Sequence, residues 1–115
     1  MSGISIHVVD VSRGVVAAGM QVELCRMDGT VVASGITNAK GLLEHAALGA
    51  TFERGIYEAV FHVADYYRRQ EDVVLPQPSF LDVVHYHFGI SDPQQHYHLP
   101  FKCTPWGYSC FRGGA

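Results

Sequence analysis

Hydrophobic and polar residues alternate along most of this chain, which is the pattern of β-strands buried on one face. The first such stretch is Ile4 to Asp10, where β-branched residues dominate and Ser12-Arg13-Gly14 follows as a break. Asp28-Gly29 lies between two further alternating stretches and predicts a tight hairpin turn. Besides Ile4 to Asp10, the predicted strands are Met20 to Met27, Thr30 to Thr37, Gly55 to Val63, Phe80 to Ile90 as the longest, His96 to Cys103 and Tyr108 to Arg112.

The remaining segments do not alternate. Ala64 to Asp72 is the one helical candidate, and Leu42 to Ala47 is compatible with either a short strand or a helical turn. Turn-forming residues predict bends at Asn38 to Gly41 and at Thr104 to Gly107. Seven or eight short strands with regular turn signals predict an all-β sandwich. The length of 115 residues predicts a single domain over residues 1–115.

Composition narrows the classes of partner. A formal net charge of −3 gives no electrostatic reason to expect a nucleic acid or an anionic membrane as partner. A hydrophobic content of 48% with only 17% charged residues is high for so small a chain, which favours association with further copies of itself. No apolar run approaches the ~20 residues that span a bilayer, and the N-terminal residues lack the basic and apolar segments expected of a signal peptide.

The three cysteines, Cys25, Cys103 and Cys110, are odd in number and share no Cys-x-x-Cys spacing. We expect reduced thiols in a cytoplasmic protein. Cys103 and Cys110 could meet across neighbouring strands, but no disulfide is predicted.

Seven histidines are a high number for 115 residues and raise the question of a metal or acid–base site. His85 and His87, like His96 and His98, are two apart and would place both imidazoles on one face of a strand. Metal sites use this spacing, but neither pair has a cysteine or carboxylate nearby in the sequence as a third ligand. No metal is therefore predicted, and exposed or hydrogen-bonded histidines are favoured at positions 85 and 87.

The C-terminal region holds the most unusual group of side chains. On a strand, His96, His98, Pro100 and Lys102 would share one face, and we interpret that face as an active site or the remnant of one. Lys102 lies in an otherwise apolar run, so its ammonium must reach solvent or a hydrated cavity.

His7 by itself indicates an ordinary hydrogen-bonded strand histidine, and Arg112 by itself a solvated residue. The motifs around them change this interpretation. They are, in order, Ile6-His7-Val8-Val9-Asp10-(x3)-Gly14, Thr37-Asn38-(x2)-Gly41, His96-Tyr97-His98-Leu99-Pro100, Pro105-Trp106-Gly107-Tyr108-Ser109 and Phe111-Arg112-Gly113. Together they cover essentially the whole chain and resemble the transthyretin-related proteins. The closer resemblance is to the 5-hydroxyisourate hydrolases of purine catabolism, because transthyretin itself lacks the two histidines.

The resemblance implies an eight-stranded sandwich with one short helix, assembled as a homotetramer of two dimers, with active sites where subunits meet in a central channel. It also implies hydrolysis of a C–N bond that opens the ring of 5-hydroxyisourate, giving 2-oxo-4-hydroxy-4-carboxy-5-ureidoimidazoline, with no metal or organic cofactor. The positions that match the catalytic set are His7, His98 and Arg112. One histidine would act on water as a general base, which accelerates reactions by about 10²–10⁴.

Several positions depart from the family pattern. An expected arginine is Leu42, an expected tyrosine is Phe111, and the expected terminal serine is Gly114. Lys102 replaces an apolar residue and supplies a cation from a different strand than the lost arginine. The substrate-binding positions implied by the resemblance are Lys102, Leu42, Ser109, Phe111, Pro100 and Gly114.

These departures leave several functions open. The chain could hydrolyse 5-hydroxyisourate or another small cyclic amide or imide, with His7 and His98 transferring protons and Lys102 and Arg112 binding substrate. It could instead be a diverged paralogue that rearranges another heterocycle, as in natural-product chemistry. Two further readings are a non-enzymatic protein that binds a small ligand and an inactive paralogue kept for assembly. Both histidines are kept, which favours the enzyme.

Overall fold

The computed structural model of the protein describes residues 2–114. Within them lie eight strands, one short α-helix and one 3₁₀ turn (Ala46–Gly49). The strands are β1 (Ile4–Asp10), β2 (Val15–Val16), β3 (Gln21–Arg26), β4 (Val31–Ile36), β5 (Gly55–His62), β6 (Val83–Ile90), β7 (Tyr97–Thr104) and β8 (Gly107–Cys110), and the helix is α1 (Val63–Arg68).

The strands form two sheets of four. The first sheet has the order β2-β1-β7-β8, and the second has the order β4-β3-β5-β6. All pairs are antiparallel except β1 and β7, which run parallel. Their register places Ser5 beside His98 and His7 beside Pro100. Residues that lie far apart in the sequence therefore share one surface of the first sheet.

Alternate side chains of the strands fill the space between the two sheets. On β1, Ile4, Ile6 and Val8 are almost wholly buried, whereas the residues between them are partly exposed. Phe61 of the second sheet stacks on Phe101 of the first, with ring centroids 3.8 Å apart. The inner face of the first sheet thus belongs to the apolar core, and its outer face is left for polar side chains.

A fully buried carboxylate attaches the helix to the first sheet. Asp10 Oδ1 accepts hydrogen bonds from the hydroxyls of Ser12 at 2.6 Å and Tyr67 at 2.7 Å, and Oδ2 accepts one from Tyr66 at 3.0 Å. Burial and the bond to Asp10 raise the pKa of Tyr66 to about 12, so its hydroxyl remains a donor. Such bonds are what make a charged group tolerable in the interior.

The structure confirms the predicted all-β sandwich with one short helix. Each of the seven predicted strands forms, with ends within about three residues of those expected. The Asp28-Gly29 turn joins β3 to β4 as predicted. Only β2 was not anticipated, because Val15–Val16 is too short to show any alternation.

The helix is shorter than the predicted range of 64–72. It ends at Arg68. Continuing it would place Glu71 and Asp72 at the C-terminus, where negative charge opposes the helix dipole. No helix within residues 2–114 has the length and apolar character needed to cross a membrane.

Two strands are also shorter than predicted. β6 begins at Val83 rather than Phe80, because its partner β5 ends opposite that residue, at His62. It is therefore no longer than β5 or β7. β8 ends at Cys110 rather than Arg112, where its regular pairing with β7 stops.

Candidate active site

The outer face of the first sheet brings together histidines and a serine from β1, β7 and the residue before β7. Ser5 Oγ lies 2.6 Å from Nδ1 of His98 and 2.8 Å from Nε2 of His96. The other ring nitrogen of His96, Nδ1, lies 3.0 Å from the carbonyl oxygen of Ser2. The predicted placement of His96 and His98 on one face is confirmed, because a single side chain from the neighbouring strand contacts both rings.

His98 is suited to accept a proton. Partial burial lowers its pKa, and repulsion from His7 and His96 lowers it further. The ring is therefore neutral at neutral pH. A neutral imidazole on a partly exposed surface is the usual form of a general base.

His7 is held by the turn that follows β4. Its Nε2 lies 3.0 Å from the carbonyl oxygen of Lys40, so a neutral ring donates this hydrogen bond and keeps Nδ1 as an acceptor. The backbone of the turn runs along β1, where the N–H of Val8 donates to the carbonyl oxygen of Gly41 at 2.8 Å. The turn thus fixes the orientation of the His7 ring.

Leu42 lies beside His7, at the position where the family resemblance led us to expect an arginine. It is half-buried and forms an isolated antiparallel bridge with His7. The sequence of Leu42 to Ala47 is compatible with either a short strand or a helical turn, and the structure contains a short form of both. A single bridge forms at Leu42, and the 3₁₀ turn begins at Ala46.

Gly41 lets the turn lie against β1. Its φ is +76°, and a Cβ there would lie 2.5 Å from the carbonyl oxygen of Val8 and 3.0 Å from Cβ of Val16. Gly41→Ala is expected to lower the free energy of unfolding by about 3 kcal/mol, since backbone strain adds to displacement of the turn. Urea denaturation followed by circular dichroism measures the loss.

Gly29→Ala is the matched control for that change. Gly29 also has a positive φ, +92°, but a Cβ there would meet nothing within 4 Å. Only the strain of about 1–2 kcal/mol applies. Equal losses for the two variants would contradict the role given to the contact between Gly41 and Val8.

Lys102 lies further along β7 on the same outer face. Its side chain is exposed, and Nζ is 5.6 Å from the centroid of the Phe111 ring, within the range of a cation–π contact. Ser109 lies directly opposite Lys102 on β8. The expectation that Lys102 reaches solvent is confirmed, and a cation, a hydroxyl and an aromatic ring gather at this end of the face.

Arg112 lies at the margin of the face. Its guanidinium stacks over the Tyr97 ring at 4.0 Å from the centroid. Nη2 donates to Oε1 of Gln95 at 3.0 Å and to the carbonyl oxygen of His96 at 3.2 Å. Within residues 2–114 these contacts brace the start of β7 and do not reach His98, so the catalytic role implied for Arg112 stays a prediction.

The C-terminal tail packs against His98. The N–H of Gly113 donates to the carbonyl oxygen of His98 at 2.8 Å and forms an isolated bridge. A Cβ on Gly113 would lie 2.9 Å from Cδ2 of His98 and 3.1 Å from Cδ of Pro100. The backbone of the tail at Gly113 therefore covers one side of the His98 ring and of the Pro100 ring. Gly114 follows and is exposed.

A cleft of 930 Å³ adjoins this face. It lies between the first half of β1 and the segment after the Gly41 turn, and its lining includes Ser5, Leu42 and His96. His7 and His98 are not part of the lining. The cleft therefore lies beside the two imidazoles and is not formed by them.

Sequence reasoning missed Ser5 and the carbonyl of Lys40. Ser5 lies two residues before His7, which places both on one face of β1. Its contact with His98 depends on the parallel register of β1 and β7, which alternation alone does not specify. Lys40 contributes a backbone atom, for which the residue type gives no signal.

The other pair of histidines lies close to a carboxylate on the neighbouring strand. His85 and His87 lie on the edge strand β6 and are more than half exposed. Their ring nitrogens lie 3.4 and 2.8 Å from the carboxylate of Glu58, and hydrogen bonds with His87 and then His85 lower the pKa of that carboxyl. The interpretation as exposed, hydrogen-bonded histidines is confirmed. In the described part of the chain, no group of three or more His, Cys, Asp or Glu is arranged to hold a metal ion.

The three cysteines are free. Burial raises the pKa of Cys103 to about 12 and that of Cys110 to about 11. Both are therefore protonated thiols at neutral pH and do not offer a nucleophile. The chemistry of this surface rests on imidazole and ammonium groups.

Comparisons with known proteins agree with one another. A model of the HIUase/Transthyretin family matches residues 4–113. A 5-hydroxyisourate hydrolase of Deinococcus radiodurans is 43% identical over 119 residues, covering 96% of this chain and 95% of that protein. The structure of Klebsiella pneumoniae 5-hydroxyisourate hydrolase has 30% identity and a TM-score of 0.81, covering 99% of this chain and 100% of the other. An (S)-allantoin synthase has 32% identity and a TM-score of 0.88, covering 98% of this chain and 44% of that chain.

Proposed function

Because the chain belongs to the HIUase/transthyretin family, we propose that it is an enzyme of the 5-hydroxyisourate hydrolase type, which opens a small heterocyclic ring by hydrolysis. The observation that carries the proposal is the pair of imidazoles, His7 and His98, on the adjacent parallel strands β1 and β7. Relatives named as 5-hydroxyisourate hydrolases match nearly the whole chain. The resemblance inferred from the sequence motifs is thereby confirmed.

In this mechanism His98 acts as the general base. Its Nε2 takes a proton from water as the water oxygen bonds to a ring carbonyl carbon. The bond between that carbon and the ring nitrogen then breaks, and the nitrogen receives a proton. A protonated His7 can supply that proton from Nδ1. One water is consumed: its oxygen and one hydrogen remain on the carbon as a carboxyl group, and the ring nitrogen gains one hydrogen. The proton left on His98 is released to solvent and His7 takes one up, so both imidazoles return to their starting states.

The direct test generates 5-hydroxyisourate from urate with urate oxidase and follows the decay of its ultraviolet absorbance. Added protein is expected to accelerate the decay well above the rate in buffer. A rate equal to that in buffer, with a correctly folded protein, would remove this activity from consideration.

We assign Lys102 to substrate binding, because its ammonium is exposed on the same face as His98. A hydrogen bond to a charged group contributes about 1.5–3 kcal/mol, so Lys102→Met is expected to lower kcat/KM by about tenfold or more. Steady-state rates on 5-hydroxyisourate measure this. Arg54→Met removes a cation from an exposed position before β5 and is expected to leave the rates unchanged. Equal effects of the two substitutions would contradict the assignment.

A second candidate substrate class is favoured by one observation. Leu42 stands beside His7 in place of the arginine expected there, and the cation of this face is Lys102 on another strand. An ammonium binds as a point charge and cannot form the two parallel bonds of a guanidinium. Another cyclic imide or lactam could bind better to a face that offers an ammonium instead of a guanidinium. Incubation with a panel of such rings, with products identified by NMR, distinguishes the two classes.

The assembly we propose is a homotetramer built from two dimers, with the outer face of the first sheet lining an internal channel. It is supported by exposed apolar side chains on or next to the first sheet and by the outer edges of β6 and β8, which pair with no further strand in the described part of the chain. The exposed apolar residues on or next to this sheet include Val15, Val16, Tyr108 and Phe111. Light scattering after gel filtration tests the subunit number. The proposal also treats residues 1–115 as one domain and places the protein in the cytoplasm, which suits its free thiols.

A further inference from the structure

Ser5 lies at the centre of a continuous hydrogen-bonded chain on the outer face of the first sheet. The chain runs from the carbonyl oxygen of Ser2 to the ring of His96, then to Ser5 Oγ, and ends at Nδ1 of His98. Its three distances are 3.0, 2.8 and 2.6 Å. Neither His98 nor Ser5 is fully exposed, so water competes only partly for these bonds.

The carbonyl at one end, together with a neutral His96 ring, sets the direction of every bond in this chain. A carbonyl oxygen only accepts, so Nδ1 of His96 carries a hydrogen. In a neutral His96, Nε2 then has a lone pair and accepts the hydroxyl hydrogen of Ser5. With its own hydrogen used in this way, Ser5 Oγ accepts from Nδ1 of His98. The hydrogen of a neutral His98 therefore lies on Nδ1, and its lone pair lies on Nε2.

We propose that Ser5 is a positioning residue, which holds His98 in the tautomer that presents Nε2 as the proton acceptor. The catalytic consequence rests on the hydrolytic function proposed above, whereas the tautomer itself does not. A ring with the opposite tautomer would present an N–H to the attacking water and could not take its proton. The same bond also limits rotation of the ring about its side-chain torsions.

A purely structural role for the Ser5 hydroxyl is the competing explanation. The pairing of β1 with β7 extends over seven residues on each strand, from Ile4 opposite Tyr97 to Asp10 opposite Cys103. This backbone ladder does not use the hydroxyl. Removing one oxygen atom from a half-exposed position leaves the ladder and the core residues of β1 in place, so the fold should survive and the effect should fall on His98.

Within residues 2–114, the titratable groups near His98 do not offer another partner for its Nδ1. His7 is bonded to the carbonyl of Lys40, and Arg112 is engaged with Gln95 and His96. Lys102 lies four residues along the same strand, with its ammonium over the Phe111 ring. Within the described residues, Ser5 is the side chain bonded to Nδ1 of His98.

The first experiment reads the tautomer directly. Histidine ring nitrogens are labelled with ¹⁵N, and the His98 signals are identified by their absence from the spectrum of His98→Gln. At a pH where the ring is neutral, the wild-type protein is expected to carry the hydrogen on Nδ1. In Ser5→Ala the population is expected to move towards the Nε2–H form. A wild-type ring with its hydrogen on Nε2, or an unchanged ratio in Ser5→Ala, overturns the proposal.

The second experiment measures turnover of 5-hydroxyisourate. Ser5→Ala is expected to lower kcat by about 10–100-fold, part of the full contribution of a general base, with KM changed by less than about threefold. Ser5→Thr keeps the hydroxyl and is expected to restore kcat to within about threefold of the wild type and the Nδ1–H signal with it. Ser34→Ala, on β4 of the other sheet, is the control and should change neither quantity. Full kcat in Ser5→Ala overturns the proposal.

The two experiments separate this inference from the proposed function. If the wild-type protein does not accelerate the decay of 5-hydroxyisourate, the function fails, and the NMR spectra still decide whether Ser5 sets the tautomer. If the wild-type protein is active but Ser5→Ala retains its kcat, the function stands and the role of Ser5 fails.

Discussion

Replacing His98 by glutamine is expected to lower kcat/KM for 5-hydroxyisourate by about 10²–10⁴-fold, which is the usual contribution of a general base. Glutamine fills a similar volume and can still bond to Ser5, so the strand and the tail should keep their positions. The substitution removes only the group that takes a proton from water. Stopped-flow or steady-state absorbance, with substrate made in place from urate, measures the loss.

His87→Gln provides the matched control, since it makes the same chemical change on the edge strand of the other sheet. Its expected kcat/KM equals that of the wild type. A His98→Gln variant with wild-type activity would refute the acid–base assignment. The pH profile gives a second check. Because the pKa of His98 lies below its ordinary value of 6.5, the acid limb of the profile should lie below pH 6.5, where the ring becomes protonated.

Asp10→Ala is expected to lower the free energy of unfolding by about 3 kcal/mol. The substitution leaves the buried hydroxyls of Tyr66 and Tyr67 without their acceptor, and each such unsatisfied group costs about 1–3 kcal/mol. Tyr67 retains a longer bond to the carbonyl oxygen of Cys103 at 3.2 Å, which limits the loss. Urea denaturation followed by far-ultraviolet circular dichroism gives the value.

Asp82→Ala is the control for that prediction. Asp82 is exposed, and substitutions at such positions usually change the free energy of unfolding by less than about 0.5 kcal/mol. Tyr66→Phe removes one donor and keeps the other two, so a smaller loss of about 1 kcal/mol is expected. A loss in Asp10→Ala no greater than that in Asp82→Ala would show that the buried network contributes little.

The fold class could be predicted from local patterns, because the alternation of apolar and polar residues within each strand shows which side chains are buried. Ile4, Ile6 and Val8 alternate with less buried residues and face the core as predicted. Element ends were less predictable, because they depend on partners. β6 begins only at the residue opposite the last residue of β5, and nothing in the sequence near Phe80 indicates this. The parallel pairing of β1 with β7 likewise has no local signature.

The site was predictable only in part. The residues alone indicated the face that holds His98 and Lys102, because spacing by two defines a strand face. His7 looked ordinary without the family motifs, and Ser5 was not noticed at all. Ser5 lies beside His98 and His7 beside Pro100 because of the register between β1 and β7, which a single sequence does not show. Arg112 is the opposite case. Its sequence motif is clear, but in the structure its side chain contacts residues at the margin of the outer face of the first sheet.

The parallel pairing of β1 with β7 also has a consequence for how the protein folds. Ser5 and His98 are 93 residues apart in the chain, so their contact closes one of the largest loops available to it. Contacts of such long sequence separation form slowly, because closing the loop loses chain entropy before the contact returns any stability. During synthesis, β1 can pair with β7 only after almost the whole chain has been made. The second sheet, whose strands are joined by shorter connections, can form earlier. The candidate active site is therefore expected to appear late in folding, together with closure of the first sheet.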